Sequence, residues 1–177
     1  MAEMSRSDYP KNEIRLIWDI SSSERIENVD ELYGMQFEAA LTDAGFNEDD
    51  IFYMGLGFRE VLANAIAYGN LGLAKDDSNK NDFHKIILAA KEKVINKGKT
   101  VHVSMSIKPG EVMVVVQDQG RETKEFWKGK RQDPLNEGLK DHHGRGELLE
   151  RKGFDNLDYE KNETGVKVTL TKKVVKV

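Results

Sequence analysis

Two apolar runs joined by a three-residue turn constrain this chain more than any other feature. Val101, Val103, Met105 and Ile107 alternate strictly with other residues, which is the period of a strand with one buried face. Lys108-Pro109-Gly110 follows, and Val112 to Val116 is then unbroken apolar sequence. Pro presets the first turn dihedral and Gly accepts the left-handed one, so the two runs form an antiparallel hairpin. The unbroken run is expected to be buried on both faces. Ile14 to Ile20 reads as a further strand, apolar at 14, 16, 18 and 20 with Ile17 in addition. Phe154 to Tyr159 and Val166 to Leu170 read as a last pair, joined by the turn Asn162-Glu163-Thr164-Gly165.

Helical spacing fills the intervals. Ser21-Ser22-Ser23-Glu24 caps a helix to about Thr42 that carries Val29, Leu32, Phe37 and Leu41. Ala44-Gly45-Phe46-Asn47 stops it, and Asn47 to Asp50 opens a second helix with acidic residues where the helix dipole favours them. Along it Ile51, Met54, Phe58, Val61, Leu62 and Ala65 form a buried stripe. Glu60 and Asn64 stand four apart on a different face, and Gly69 ends the helix. Residues 74–99 read as a polar loop and an inserted helix over 82–97, with Phe83, Ile86, Ile87, Ala90, Val94 and Ile95. Residues 119–143 hold little apolar material and three glycines, the composition of a long mobile loop. Gly144 to Lys152 fits a short helix. The order is strand, two helices, an inserted helix and four strands. Sequential hairpins imply an antiparallel or mixed sheet with helices on one face, an α+β two-layer sandwich.

Composition excludes several classes. The 177 residues suit one domain; at 38% hydrophobic and 33% charged, with net charge −4, the chain is foldable and has no general attraction to nucleic acid or anionic membrane. Without cysteine there is no disulfide, thiolate metal site, iron–sulfur cluster or cysteine nucleophile. That absence fits a reducing compartment. The first eleven or so residues form a polar arm without a signal-peptide core, and no apolar run could span a bilayer. The expected location is therefore cytoplasmic. His142-His143 lacks helical metal-ligand spacing, and His84 and His102 are distant in sequence.

Four local features occur in one order: Glu60-x-x-x-Asn64 on a helix, Asp118-Gln119-Gly120 after a strand, Gly144-Arg145-Gly146 opening a helix, and Gly165 before the final strand. Each has an ordinary explanation alone: solvated helix polars, a turn Asp before Gly, flexible glycines at a helix start, a turn glycine. Their chemistry also converges. An Asn oxygen suits Mg²⁺, a hard ion that keeps several waters. A Glu one turn away can orient or deprotonate an attacking hydroxyl or water. A Gly-Arg-Gly helix start leaves backbone N–H groups free for phosphate.

In this order and spacing the set resembles the nucleotide site of the GHKL (Bergerat-fold) ATPase superfamily. Arg59-Glu60-Val61-Leu62-Ala63-Asn64-Ala65-Ile66-Ala67-Tyr68-Gly69 and Gly144-Arg145-Gly146-Glu147-Leu148-Leu149 are most similar to bacterial anti-sigma-factor serine/threonine kinases. The resemblance spans about residues 14–172. It implies Glu60 as catalytic base, Asn64 as Mg²⁺ ligand, and Asp118 as acceptor of the adenine amino group with Gly120 beside the base. It also implies Gly144, Arg145 and Gly146 as phosphate cradle and residues 119–143 as an ATP lid. The lid contains the basic-aromatic run Lys124, Phe126, Trp127, Lys128, Lys130 and Arg131, which reads equally as a phosphate contact, a partner contact or solvated loop. The implied cofactors are ATP and Mg²⁺. The implied partners are a small antagonist protein that receives the γ-phosphate, a sigma factor, and a second copy of the chain.

Three positions depart from the family pattern. Glu122 stands where Asp-x-Gly-x-Gly has its last glycine, Tyr68 where His is frequent, and Val166 where the closing Gly-Thr has its hydroxyl. They motivate a second reading, a degenerate domain serving as a nucleotide-sensing or nucleotide-free protein-interaction module. A sensor histidine kinase domain is disfavoured, because no helical pair with a phospho-acceptor histidine precedes Ile14.

Overall fold

The computed structural model describes residues 13–22, 26–73, 83–92, 98–120 and 151–173. The arm at 1–12, nearly all of the 119–143 loop, and Gly144, Arg145 and Gly146 lie outside them. So do Val94 and Ile95 of the expected inserted helix; of the short helix at 144–152, residues 151–153 are described and are helical.

Strand β1 (Ile14–Ser21) leads to helices α1 (Ile26–Asp43) and α2 (Glu48–Asn64). A π-helix (Ala65–Asn70) continues α2 directly, and α3 (Phe83–Glu92) follows. Then come β2 (Thr100–Lys108), β3 (Glu111–Gln117), β4 (Asn156–Asn162) and β5 (Gly165–Lys173). The sheet order is β1-β2-β3-β5-β4, and all four pairings are antiparallel. Of the two expected alternatives, antiparallel or mixed, the described strands take the first. The β4–β5 hairpin returns β5 to the side of β3, placing the start of β5 beside the end of β3: Gln117 is opposite Lys167.

Even-numbered residues of β3 and β5 and odd-numbered residues of β2 face the helices. Val103, Val114, Val116, Val168 and Leu170 are buried there with Trp18 and Ile20 of β1. Against them α2 sets Met54, Phe58, Val61 and Leu62, and α1 sets Phe37 and Leu41. Each such side chain contributes about 1.5–3 kcal/mol on burial. Rings link the layers: Phe58 lies 4.9 Å from Phe37 and 6.2 Å from Trp18, centroid to centroid. Ile87 and Ala90 of α3 also enter the core.

Two expectations about burial are corrected. Val112, Val114 and Val116 are buried, but Met113 is exposed and Val115 half-buried. The described helices cover one face only, so an all-apolar strand reports β-branched propensity rather than a second covering layer. Ile51, placed on the buried stripe of α2, is only partly buried.

The start of α2 is as the sequence predicts. Asn47 has extended backbone, and its side chain accepts the Asp50 N–H at 2.8 Å, an N-cap worth about 1 kcal/mol. Gly34 of α1 and Gly55 of α2 let the helices close on the Glu38–Arg59 ion pair, since a Cβ at either position would strike those side chains.

Candidate functional site

Asp118 directly follows β3 and is 4% exposed. Its backbone N–H donates to Val166 O at 3.0 Å, which anchors it to the start of β5. Its carboxylate Oδ1 accepts two backbone donors, Gly120 N at 2.9 Å and Val166 N at 3.1 Å. Oδ2 faces Gly69, where an added Cβ would lie 2.5 Å from it. No donor among the described residues reaches Oδ2. Burial raises the pKa of Asp118; the Gly120 and Val166 N–H groups, then the charges of Lys99 and Lys161, oppose that shift.

Three glycines from three parts of the chain let backbone pack closely around this carboxylate. A Cβ at Gly120 would fall 1.9 Å from Gly69 O, and one at Gly165 would fall 2.1 Å from Asp118 O. Real Cβ atoms do not approach so closely, so these positions exclude every side chain, and backbone alone packs against the carboxylate there.

The π-helix brings Gly69 here. Leu71 N–H donates to Ile66 O at 2.9 Å, five residues back, and such a widened turn recurs at functional sites. Asn70 at its end is fully buried. Asn70 Nδ2 donates to Ser22 Oγ at 2.7 Å, Oδ1 accepts Gln119 N at 2.6 Å, and its carbonyl accepts Lys99 Nζ at 2.7 Å. One side chain and its carbonyl thus tie together the ends of β1 and the π-helix, the start of β2, and the segment after β3.

Glu60 and Asn64 share one half-buried side of α2, where Asn64 Nδ2 donates to Glu60 Oε1 at 3.1 Å. That bond engages the amide nitrogen, and Oδ1 is the group's hard oxygen acceptor. At about 1.5 Å rise per residue, Asn64 precedes Gly69 by roughly 7 Å along the helix.

The structure therefore joins Asp118 and Gly120 with Gly165 in one closely packed cluster, and sets Glu60 and Asn64 on the helix that leads towards it. Gly144, Arg145, Gly146, Glu122 and the lid lie outside the described residues. Val166 presents a buried apolar side chain beside Asp118, and its N–H rather than a hydroxyl serves the carboxylate. Thr169 pairs with Val115 and Asp158 on the open face of the sheet, so it does not substitute for that hydroxyl. His102 bonds Asp19 at 2.8 Å on the same open face. Among the described residues no group of three or more His, Cys, Asp or Glu is placed to hold a metal ion.

A model of the histidine kinase-like ATPase domain matches residues 23–172. The chain belongs to that family. The match joins the helix of Glu60 and Asn64, the Asp118 pocket and Gly165 within one domain model, and an antiparallel sheet with helices on one face is consistent with this ATPase fold. No curated protein sequence matches the chain significantly. No helix of the described ATPase domain is long and apolar enough to cross a membrane.

Sequence reasoning missed Ser22, Gly69, Asn70 and Lys99 as parts of the pocket. Gly69-Asn70 offered a signal, because an Asn after a helix-ending glycine often bonds backbone. Nothing local marked Ser22 or Lys99, which the sheet brings together from 77 positions apart along the chain.

Proposed function

We propose that this ATPase domain is a regulatory serine/threonine kinase of the anti-sigma type, which binds ATP·Mg²⁺ and transfers the γ-phosphoryl group to a small antagonist protein. The observation that carries the nucleotide part is Asp118 Oδ2, a buried carboxylate oxygen with no donor among the described residues, in a backbone-lined cradle. An exocyclic amino group of adenine supplies the missing donor. Asn64 Oδ1 fits a cation that takes its other ligands from water and phosphate.

The remaining roles follow by position. Asp118 reads the base through Oδ2 while Gly120 and Val166 hold Oδ1. Asn64 offers its oxygen to the cation, and Glu60 orients the acceptor hydroxyl and takes its proton. Gly144, Arg145 and Gly146 cradle the phosphates by family resemblance. Bound Mg²⁺ supplies charge neutralisation at the phosphates. A sigma factor and a second copy complete the partner set.

Calorimetric titration of ATP with and without Mg²⁺ tests the pocket. Binding is expected to strengthen with Mg²⁺ and to weaken roughly 10- to 100-fold when ITP replaces ATP, because its ring oxygen faces Asp118 without a proton to donate. Glu60→Ala is expected to retain ATP binding and lose phosphotransfer; unchanged transfer removes Glu60 from the mechanism. Absence of binding at millimolar ATP would favour the interaction-module reading, which the buried Val166 side chain also suits.

A further inference from the structure

The β4–β5 hairpin brings Gly165 and Val166 to Asp118, yet its turn is made of ill-suited residues. Asn162 and Gly165 face each other as the last pair of the ladder, so the loop between them is Glu163-Thr164. Two-residue hairpin loops take type I′ or II′ geometry, which calls for Gly, Asn or Asp at the central positions. Neither Glu nor Thr meets that demand, and Thr is β-branched as well. What holds the loop is the residue before it. Asn162 Oδ1 accepts three donors: Thr164 N–H at 2.9 Å, Thr164 Oγ1 at 2.7 Å and Gly165 N–H at 3.0 Å.

A second thread runs from the same side chain towards the carboxylate. Asn162 Nδ2 donates to Gln117 Oε1 at 3.4 Å, and Gln117 Nε2 donates to the Asp118 carbonyl at 2.8 Å. Strand alternation puts Asn162 with Asp158 and Glu160, and Gln117 with Met113 and Val115, all on the open face of the sheet. Asp118 Oδ1 is gripped from the backbone that the turn delivers. Val166 N–H donates to it at 3.1 Å, and a Cβ at Gly165 would fall 2.7 Å from it. Turn and carboxylate thus share one piece of backbone, clamped from the open face by Asn162. A turn that shifts carries the Val166 N–H with it, and the carboxylate loses the donor that sets its orientation.

We infer that Asn162 is a positioning residue for base recognition: it fixes the Glu163-Thr164 loop, sets the Val166 N–H that holds Asp118 Oδ1, and thereby aims Oδ2 at the amino group of adenine. This rests on the nucleotide reading above. Its consequence is selectivity. The Oδ2 contact separates a 6-amino from a 6-oxo purine, so a misaimed carboxylate loses ATP affinity and leaves ITP affinity nearly as it was. A residue that merely stabilised the hairpin would weaken both nucleotides alike.

Calorimetric titration of ATP and of ITP into each variant reads this difference. In Asn162→Ala the preference for ATP is expected to fall roughly tenfold, almost all of it through ATP. Asn162→Asp keeps an oxygen for the three turn donors and is expected to retain most of the preference. The sharper rescue combines Asn162→Ala with Glu163→Asn and Thr164→Gly. An Asn-Gly loop forms the turn without a side-chain clamp, so the ATP preference is expected to return. Amide hydrogen exchange in the nucleotide-free protein adds a readout that needs no ligand. In Asn162→Ala the Val166 N–H is expected to exchange roughly tenfold faster, and that of Leu170, further along β5, at the wild-type rate. Unchanged ATP preference or unchanged Val166 exchange in Asn162→Ala, or a rescue variant that stays unselective, overturns the role of Asn162. A wild type that binds ATP and ITP alike overturns the nucleotide reading and the selectivity with it, while Val166 exchange separately decides whether Asn162 holds the Asp118 backbone.

Discussion

At Asp118 burial and backbone hydrogen bonds act in opposite directions on one carboxylate, and burial prevails, raising its pKa. The folded state therefore holds the proton more tightly than the unfolded chain. Between the two pKa values the folded state binds more protons, so stability falls as pH rises through that window. Above it the ionised group is a fixed cost. Asp118→Asn removes that cost and still offers Oδ1 to Gly120 and Val166. It is expected to melt at or above the wild-type temperature at pH 8, with the difference shrinking on acidification into the carboxylate range; melting curves from pH 4 to 8 check this. The same variant presents a donor where adenine needs an acceptor, and is expected to lose ATP affinity by roughly tenfold or more in the calorimeter. A variant with lowered stability at pH 8 would show that Oδ2 has a stabilising role in the free protein. Much of this residue was legible beforehand, because Asp-Gln-Gly after an apolar strand marks a carboxylate at a core edge. Its second neighbour, Gly69, was read only as a helix stop.

Among the elements, the junction of α2 with the π-helix decides where that glycine goes. The apolar stripe, the Asn47 cap and the Glu60–Asn64 spacing all depend on near neighbours, and the sequence alone revealed them. The widened turn was not legible, since Ala65-Ile66-Ala67-Tyr68 continues an ordinary helical pattern. Its anchor is tertiary: Asn70 bonds Ser22 and Gln119, which belong to other elements. Asn70→Ala strands the buried Ser22 hydroxyl and leaves Gln119 N–H without its acceptor, at about 2–4 kcal/mol together. The expected result is a melting temperature lower by roughly 5–10 °C and weaker nucleotide binding, with ATP raising the melting temperature less than in the wild type. Unchanged melting would remove Asn70 as the anchor.

For the molecule as a whole, one covered face governs tolerance to substitution. The unbroken Val112–Val116 run could not reveal which residues lie beneath the helices, because alternation is invisible when every position is apolar. The register resolves it. Val114→Lys buries an unpaired charge and is expected to cost roughly 3–5 kcal/mol. Val115→Lys, one residue away on the open face, is expected to cost about 1 kcal/mol or less, its stem lying along the sheet. Chemical denaturation of the two variants checks the contrast, and equal losses would mean that both faces are covered. The β2–β3 and β4–β5 hairpins were legible from their turns; the β1–β2 and β3–β5 pairings join elements distant in sequence, so the choice between an antiparallel and a mixed sheet was not.

The Asp118 cluster draws its parts from both halves of the chain: Ser22, Gly69 and Asn70 from the first, and Lys99, Asp118, Gly120, Gly165 and Val166 from the second. Neither half contains a working fraction of it. If the polypeptide were severed between residues 73 and 83, β1 would still have to find β2 before any pocket existed. A nucleotide that prefers the complete pocket would then act as a molecular clasp, drawing two separately made fragments together. The same division makes the domain a natural split reporter, whose reassembly reads out ligand concentration.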